Sequence, residues 1–244
     1  MADNQPFYHL LADVYELLFP ITETQRQFFS DLIQGSGVCR ALDVACGSGE
    51  HAALLRGLGL EVDALEYDER MVERARGKGI NVQFGSMEHV AELYASGYGL
   101  MLCIGNSLPH LADLGAVERA VRGMAALLDA HGVLVLSVIN FDRILGRHIT
   151  LLPTKRVVDN AGRPIVFERF YDFARLPERI TFSTRLTIEG TTETASVPLV
   201  PISPQWLMDC VASSGLRIVD RYADFTRTPF TPDAASLLLV GRRE

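Results

Sequence analysis

Along the first 140 residues, short apolar runs alternate with amphipathic stretches, and glycine, proline or acidic residues mark most of the changeovers. Runs at 38–44, 61–65, 81–84, 99–104 and 132–139 are short, and most are apolar nearly throughout, the texture of strands covered on both faces. Helical spacing is expected between them at 49–58, 69–77, 89–94 and 113–128. Five strands separated by helices predict a doubly wound, mostly parallel, Rossmann-like α/β sheet. Upstream, Leu10, Leu11, Val14, Leu17 and Leu18 fall on one helical face; Pro20 stops that helix, and Thr22 or Thr24 caps a second one reaching about residue 34. Beyond Asn140 the period drops to two. "PIVFERFYDF", "RITFSTRLTI" and "TETASVPLV" read as antiparallel strands within 154–200. A helix then runs from Ser203 or Pro204 to about Ser214, Gly215 ends it, and a strand pair within 217–225 and 235–243 completes a seven-stranded sheet. The expected organisation is an N-terminal helical lid (1–37), an α/β domain (38–153 and 201–244) and an antiparallel β insert before the last helix (154–200).

Composition narrows the function more than the fold. With 244 residues and 48% hydrophobic content, the chain has ample core. A formal net charge of −7, and no basic run longer than Arg242-Arg243, argue against nucleic acid as partner. Cys39, Cys46, Cys103 and Cys210 are far apart and show no C-x-x-C spacing, so neither a metal site nor a disulfide framework is expected; reduced thiols fit a cytoplasmic protein. No secretory signal and no apolar run of about 18 residues is seen, so no membrane partner is expected either. A small-molecule substrate is the expected partner, with monomer and homo-oligomer both open.

The candidate chemistry begins at "ALDVACGSGEH", residues 41–51. A strand-to-helix turn bearing Gly47 and Gly49 lets a ligand approach bare backbone beside unpaired helix N–H groups. Gly47, Gly49 and Ala52, with Glu66 at the end of the next strand, match a dinucleotide fingerprint and would suit an NAD(P)-dependent oxidoreductase. Three features oppose that reading: helices precede the first strand, an antiparallel pair closes the sheet, and Asp43 stands at the strand tip, where its charge would repel a pyrophosphate. A cationic ligand removes the last objection.

At these residues, and over essentially its whole length, the sequence resembles the class I S-adenosylmethionine-dependent methyltransferases. "LDVACGSG" is similar to their first motif. The resemblance implies Asp43 near the methionine moiety and Gly47 and Gly49 under the cofactor, with Ala45 where many members have a glycine. "ALEYDERMVERAR" resembles the second motif, implying Glu66 as a bidentate acceptor for the ribose hydroxyls, Tyr67 beside the adenine, and Met71 nearby. In "QFGSMEHV", Ser86 takes the place of an aspartate that contacts the adenine amino group in many relatives, and Met87 packs on the ring. "LCIGNSLPHL" resembles the glycine and sarcosine N-methyltransferases, so that Cys103 or Ile104 lines the cofactor while Asn106 and His110 face the acceptor. "FYHLLADVYELLF" is similar to that group's tyrosine-bearing lid, which makes Tyr8 and Tyr15 candidate covers.

The implied reaction is in-line displacement at a sulfonium methyl group, whose thioether leaving group needs no acid; the enzyme mainly aligns donor and nucleophile. An amine acceptor must be neutral, and His110, with an ordinary pKa near ~6.5, is the natural base. Plainer accounts exist for each residue: a cap or core histidine for His110, a turn residue for Asn106, an Asx-turn or helix cap for Asp43, core packing for Tyr8 and Tyr15, and a solvated strand face for Arg169, Tyr171 and Arg185. The sharper account of those last three is an acceptor-binding wall with an arginine pairing a carboxylate. The expected function is S-adenosylmethionine-dependent methyl transfer to a small molecule, to an amine nitrogen first and oxygen next, yielding S-adenosylhomocysteine. An NAD(P)-dependent oxidoreductase and a non-catalytic cofactor-binding protein are the alternatives.

Overall fold

The computed structural model describes residues 11–244. Two short helices, α1 (Tyr15–Leu18) and α2 (Glu23–Ile33), lead into the alternating part of the chain. Thr22, not Thr24, caps α2: its hydroxyl accepts from the Gln25 N–H at 3.2 Å and the Gln25 side chain accepts from the Thr22 N–H at 2.8 Å, a reciprocal capping box.

The alternating part comprises β1 (Arg40–Val44), α3 (Glu50–Gly57), β2 (Glu61–Glu66), α4 (Glu69–Gly77), β3 (Asn81–Phe84), α5 (Val90–Leu93), β4 (Tyr98–Cys103), α6 (Leu114–Leu127) and β5 (Leu128–Ile139). After α7 (Phe141–Gly146) come β6 (Lys155–Val158), β7 (Pro164–Asp172), β8 (Ile180–Ile188) and β9 (Thr191–Leu199), then α8 (Pro204–Ser213), β10 (Leu216–Tyr222) and β11 (Ser236–Arg243). The large sheet has the order β10-β11-β5-β4-β1-β2-β3; all neighbours are parallel except β11, which is antiparallel to both β5 and β10. The chain winds outward from β1 in one direction through β2 and β3 and in the other through β4 and β5. The crevice beyond the carboxyl ends of β1 and β4 is therefore the topological switch point, where such sheets bind ligands.

Alternate residues of each strand feed two cores. Leu42, Val44, Met101 and Cys103 pack with α6 and α8, while Ala41, Leu100, Leu102 and Ile104 pack with α2, α3 and α4. Each fully buried Leu contributes about 1.5–3 kcal/mol of transfer free energy, so covering both faces fixes the sheet as a rigid platform.

Four antiparallel strands, in the order β6-β7-β8-β9, form a second sheet. Its inner face (Ile165, Phe167, Tyr171, Ile180, Leu186, Val197) packs on Leu11, Val14 and Leu18 of the N-terminal segment and on Phe141 of α7. The Val200 N–H donates to the Pro109 carbonyl at 2.8 Å, which moors this sheet beside the turn after β4.

Two boundaries differ from expectation. The helix expected at 89–94 is a 3-10 turn, Met87–His89, followed by the four residues of α5. β5 starts at Leu128, directly after α6, because His131 takes a left-handed φ of 66° and absorbs an irregular register against β4 without ending the strand.

At the amino end of the sheet, Asp63 gathers Arg40 (2.7 Å), the Tyr98 hydroxyl (2.8 Å) and the Asn81 amide (2.7 Å). The side-chain bonds from Tyr98, Asn81 and Arg40 hold its carboxyl below the usual range although burial opposes this. Asp63→Ala should destabilise the fold by about 2–3 kcal/mol, because it strands the buried Tyr98 hydroxyl and the Asn81 amide. Urea denaturation checks this; a midpoint unchanged from wild type would refute it.

Candidate active site

The turn after β1 crosses into left-handed backbone three times in five residues: Ala45 (φ 60°), Gly47 (φ 56°) and Gly49 (φ 82°). Glycine adopts this freely at positions 47 and 49; alanine at 45 bears a cost of about 1–2 kcal/mol. Ala45→Gly should therefore raise stability by up to about 1 kcal/mol, or roughly 2–4 °C in thermal midpoint, and a lowered midpoint would show that the strain assignment is mistaken.

Glu66, at the end of β2, holds this turn from beneath. One oxygen accepts from the Gly47 N–H at 2.8 Å, and the other from the Tyr67 and Asp68 N–H groups at 2.7 and 2.9 Å. A carboxylate offers about four acceptor directions, so one remains, on the oxygen that faces Gly47. Burial pushes the Glu66 pKa up, against those three bonds. Asp43, 2% exposed at the tip of β1, has a different setting. Its Oδ2 has no hydrogen-bond partner, and burial, followed by the charge of Glu66, raises its pKa to about 7.

Both carboxylates line a cavity of about 640 Å³ that also receives Ala45, Cys46, Gly47 and Ser48 from the turn. One flank consists of Tyr67, Met71, Ser86 and Met87; the other consists of Ile104, Asn106, His110 and Leu111. Tyr67 stacks on Phe84, with ring centroids 5.7 Å apart and planes 19° from parallel. The Ser86 hydroxyl accepts from the Glu88 N–H at 3.3 Å and caps the 3-10 turn. Tyr15, Phe19, Leu152, Lys155, Phe167, Arg169 and Phe182 form the roof. A Cβ added at Gly47 would lie 3.8 Å from the Tyr15 ring, so this tyrosine closes directly over the turn. Tyr15 is pushed up to about 12 by burial, then by the charges of Glu66 and Asp43, and stays a neutral hydroxyl.

Several expected residues are placed otherwise. Cys103 is fully buried in the core with α6 and does not line the cavity; strand alternation gives that place to Ile104. Gly49 lies behind the cavity, where an added Cβ would meet Ala75 Cβ at 2.9 Å; its role is close packing of α3 on α4. Of the insert residues, Arg169 and Tyr171 turn inward, and Arg169 reaches the cavity wall; only Arg185 fits a solvated face, pairing with Glu168 at 3.4 Å and lying over Phe170. Tyr8 lies outside the described residues. Asn106 (φ 68°) is a turn residue as well as a wall residue: its Oδ1 accepts from the Ile139 N–H at 2.9 Å and ties the ends of β4 and β5 together. Burial lowers the His110 pKa to about 4, so the ring is neutral at pH 7 and a weak base, unlike the ordinary histidine expected from sequence.

No local pattern marks Lys78 as part of this site. Its ammonium donates to Glu16 of α1 at 2.6 Å, to the Ser48 carbonyl at 2.7 Å and to Glu50 of α3, using all three donors to tie the N-terminal segment to the cofactor-type turn. Arg74 adds a bond to Asp13 at 2.9 Å. Among the described residues, no helix is long and apolar enough to cross a membrane, and no cluster of potential metal ligands occurs.

A doubly wound sheet ending in an antiparallel strand, with a glycine turn and two carboxylates at the switch point, defines a class: the class I S-adenosylmethionine-dependent methyltransferase fold. Residues 41–132 match the family described as "Methyltransferase domain", and the fold is shared with solved S-adenosylmethionine-dependent methyltransferases. A glycine/sarcosine/dimethylglycine N-methyltransferase from Actinopolyspora halophila is 23% identical over 214 residues, 84% of this chain but 36% of that protein. Human glycine N-methyltransferase is 27% identical over 51% of this chain and 48% of its own length; the chain thus spans about half or less of these relatives. Among solved structures, a methyltransferase from Clostridium acetobutylicum covers 97% of this chain and 99% of its own, with a TM-score of 0.78 and 12% identity. An amino pentose methyltransferase from Micromonospora echinaspora, solved with S-adenosylmethionine bound, has a TM-score of 0.74 at 19% identity and covers 95% of this chain and 97% of its own.

Proposed function

We propose that this chain binds S-adenosylmethionine in the 640 Å³ cavity and transfers its methyl group to an amine nitrogen of a small molecule. The observation that carries the reading is the orphaned Asp43 Oδ2: a buried, uncompensated carboxylate oxygen calls for a cationic ligand group and repels a pyrophosphate. The ammonium of the methionine moiety supplies that cation, with the sulfonium adding charge nearby. Gly47 offers the ligand bare backbone beside Tyr15, and Glu66 accepts one ribose hydroxyl in its remaining direction. Tyr67, Met71, Ser86 and Met87 form the adenine wall.

When bound, the cofactor supplies an electrophilic methyl group; the residues on the opposite flank align the nucleophile. His110, neutral and weakly basic, accepts a hydrogen bond but cannot draw a proton from an ammonium with a pKa near ~10. The cavity itself favours the neutral amine by desolvation. An alcohol would need a stronger base, and the lining carboxylates Asp43 and Glu66 are engaged by the methionine and ribose moieties. This is the reason to prefer nitrogen over oxygen, in keeping with the names of the N-methyltransferase relatives.

Equilibrium dialysis tests the reading. S-Adenosylhomocysteine is expected to bind in the micromolar range and NAD or NADP not at all; the reverse would make the protein an oxidoreductase. Labelled methyl transfer is expected to amines and not to alcohols, whereas cofactor binding without transfer to any acceptor would point to a non-catalytic binding protein.

A further inference from the structure

Among the described residues, the cations in the roof of the cavity have no counter-charges. Arg169, on β7, donates to the Pro153 carbonyl at 2.9 Å, while its buried Nε has no partner. Lys155, on β6, donates to the Leu18 carbonyl and lies 4.1 Å from the centroid of Phe19. Arg169 lies 6.0 Å from the same ring and 5.7 Å from Phe167. Among the described residues neither cation pairs with a carboxylate, although both line the cavity. Two buried hydroxyls without partners share this sheet face: Thr184, across from Arg169 in the β7–β8 register, and Tyr171, two residues along. Arg169 and Lys155 thus give the roof two cationic donor groups, a set that a carboxylate or phosphate satisfies and a second cation does not. Burial lowers the pKa of both Lys155 and Arg169, and Arg169 adds its repulsion at Lys155, a cost that a bound anion would relieve.

The cavity is therefore polarised, with Asp43 and Glu66 at the sheet and uncompensated cations at the roof. Resting on the methyltransferase reading above, we propose that the acceptor carries an anionic group that docks on Arg169 and Lys155 and turns its amine toward His110 and the sheet. Bidentate pairing to the Arg169 guanidinium sets the orientation, and Lys155 supplies a point charge beside it.

The test begins with protein saturated with S-adenosylhomocysteine, whose binding is measured first; failure at that step rejects the methyltransferase reading, and the present inference with it. The loaded protein is then titrated calorimetrically with acetate and, separately, with inorganic phosphate at constant ionic strength. Saturable binding of one of them is expected, acetate marking a carboxylate acceptor and phosphate a phosphorylated one. Arg169→Gln and Lys155→Gln should each weaken it about tenfold or more, and Arg169→Lys should restore part of the loss. S-Adenosylhomocysteine affinity should stay within about twofold of wild type in all three, which also shows that they fold. If the loaded wild-type protein binds neither anion, or if both glutamine variants bind like wild type, the inference is overturned while the methyltransferase reading stands.

Discussion

Asp43→Asn is expected to do two opposite things: weaken S-adenosylmethionine binding about 100-fold or more at pH 8, and make the ligand-free protein more stable. The first follows from the proposed binding mode, in which this buried negative charge faces the cationic end of the donor. The second follows from linkage. Asp43 has a folded pKa of about 7, above an unfolded value near 3.9, so the folded state holds the proton more tightly. That favourable contribution is whole below about pH 4 and is lost as pH rises through 7, where a bare carboxylate costs roughly 2–4 kcal/mol. Asparagine keeps the shape and never ionises. Melting curves between pH 4 and 8 should show the variant's advantage over wild type growing toward pH 8 and vanishing near pH 4. A variant less stable than wild type at pH 8, with donor affinity intact, would remove the functional meaning assigned to this residue.

Gly49→Ala should be the most damaging small change in the turn. The new methyl group would sit 2.9 Å from Ala75 Cβ, 3.3 Å from Ala75 Cα and 3.5 Å from Ile80, on a backbone with φ of 82°. Left-handed strain of about 1–2 kcal/mol and overpacking of about 1–3 kcal/mol together imply a loss of about 2–5 kcal/mol. The thermal midpoint should fall by roughly 5–15 °C, and S-adenosylhomocysteine affinity should fall with it because α3 can no longer seat on α4. Set beside Ala45→Gly, four positions earlier and expected to stabilise, this is a test of sign: the two exchanges oppose each other in one turn. A Gly49→Ala midpoint within a degree or two of wild type would contradict the packing account.

The parallel strands were legible because burial on both faces leaves continuous apolar runs, and the glycine turn because its positive φ values mostly demand the residue type. Ala45 shows the limit: nothing in an alanine announces left-handed backbone. α7 was missed because six residues carry too little periodicity, although Asn140 caps it by accepting from the Arg143 N–H. Arg169 and Arg185 look alike in sequence, and only the register, with Arg169 opposite Thr184 and Arg185 opposite Glu168, sends one inward and the other out. Lys78 meets Glu16, Ser48 and Glu50 across 62, 30 and 28 residues, distances over which no local pattern operates. The weak basicity of His110 is equally hidden, since its cause is burial by residues from other elements.

Proton exchange on binding tests the central claim most directly. Calorimetric titration of S-adenosylmethionine at pH 6, repeated in buffers of different ionisation enthalpy, should reveal release of close to one proton, because the ligand's cationic end favours the ionised form of a carboxyl group that is mostly protonated beforehand. Asp43→Asn should abolish that release. Tight binding by the wild-type protein with no proton released, or the same release from the variant, would contradict the account.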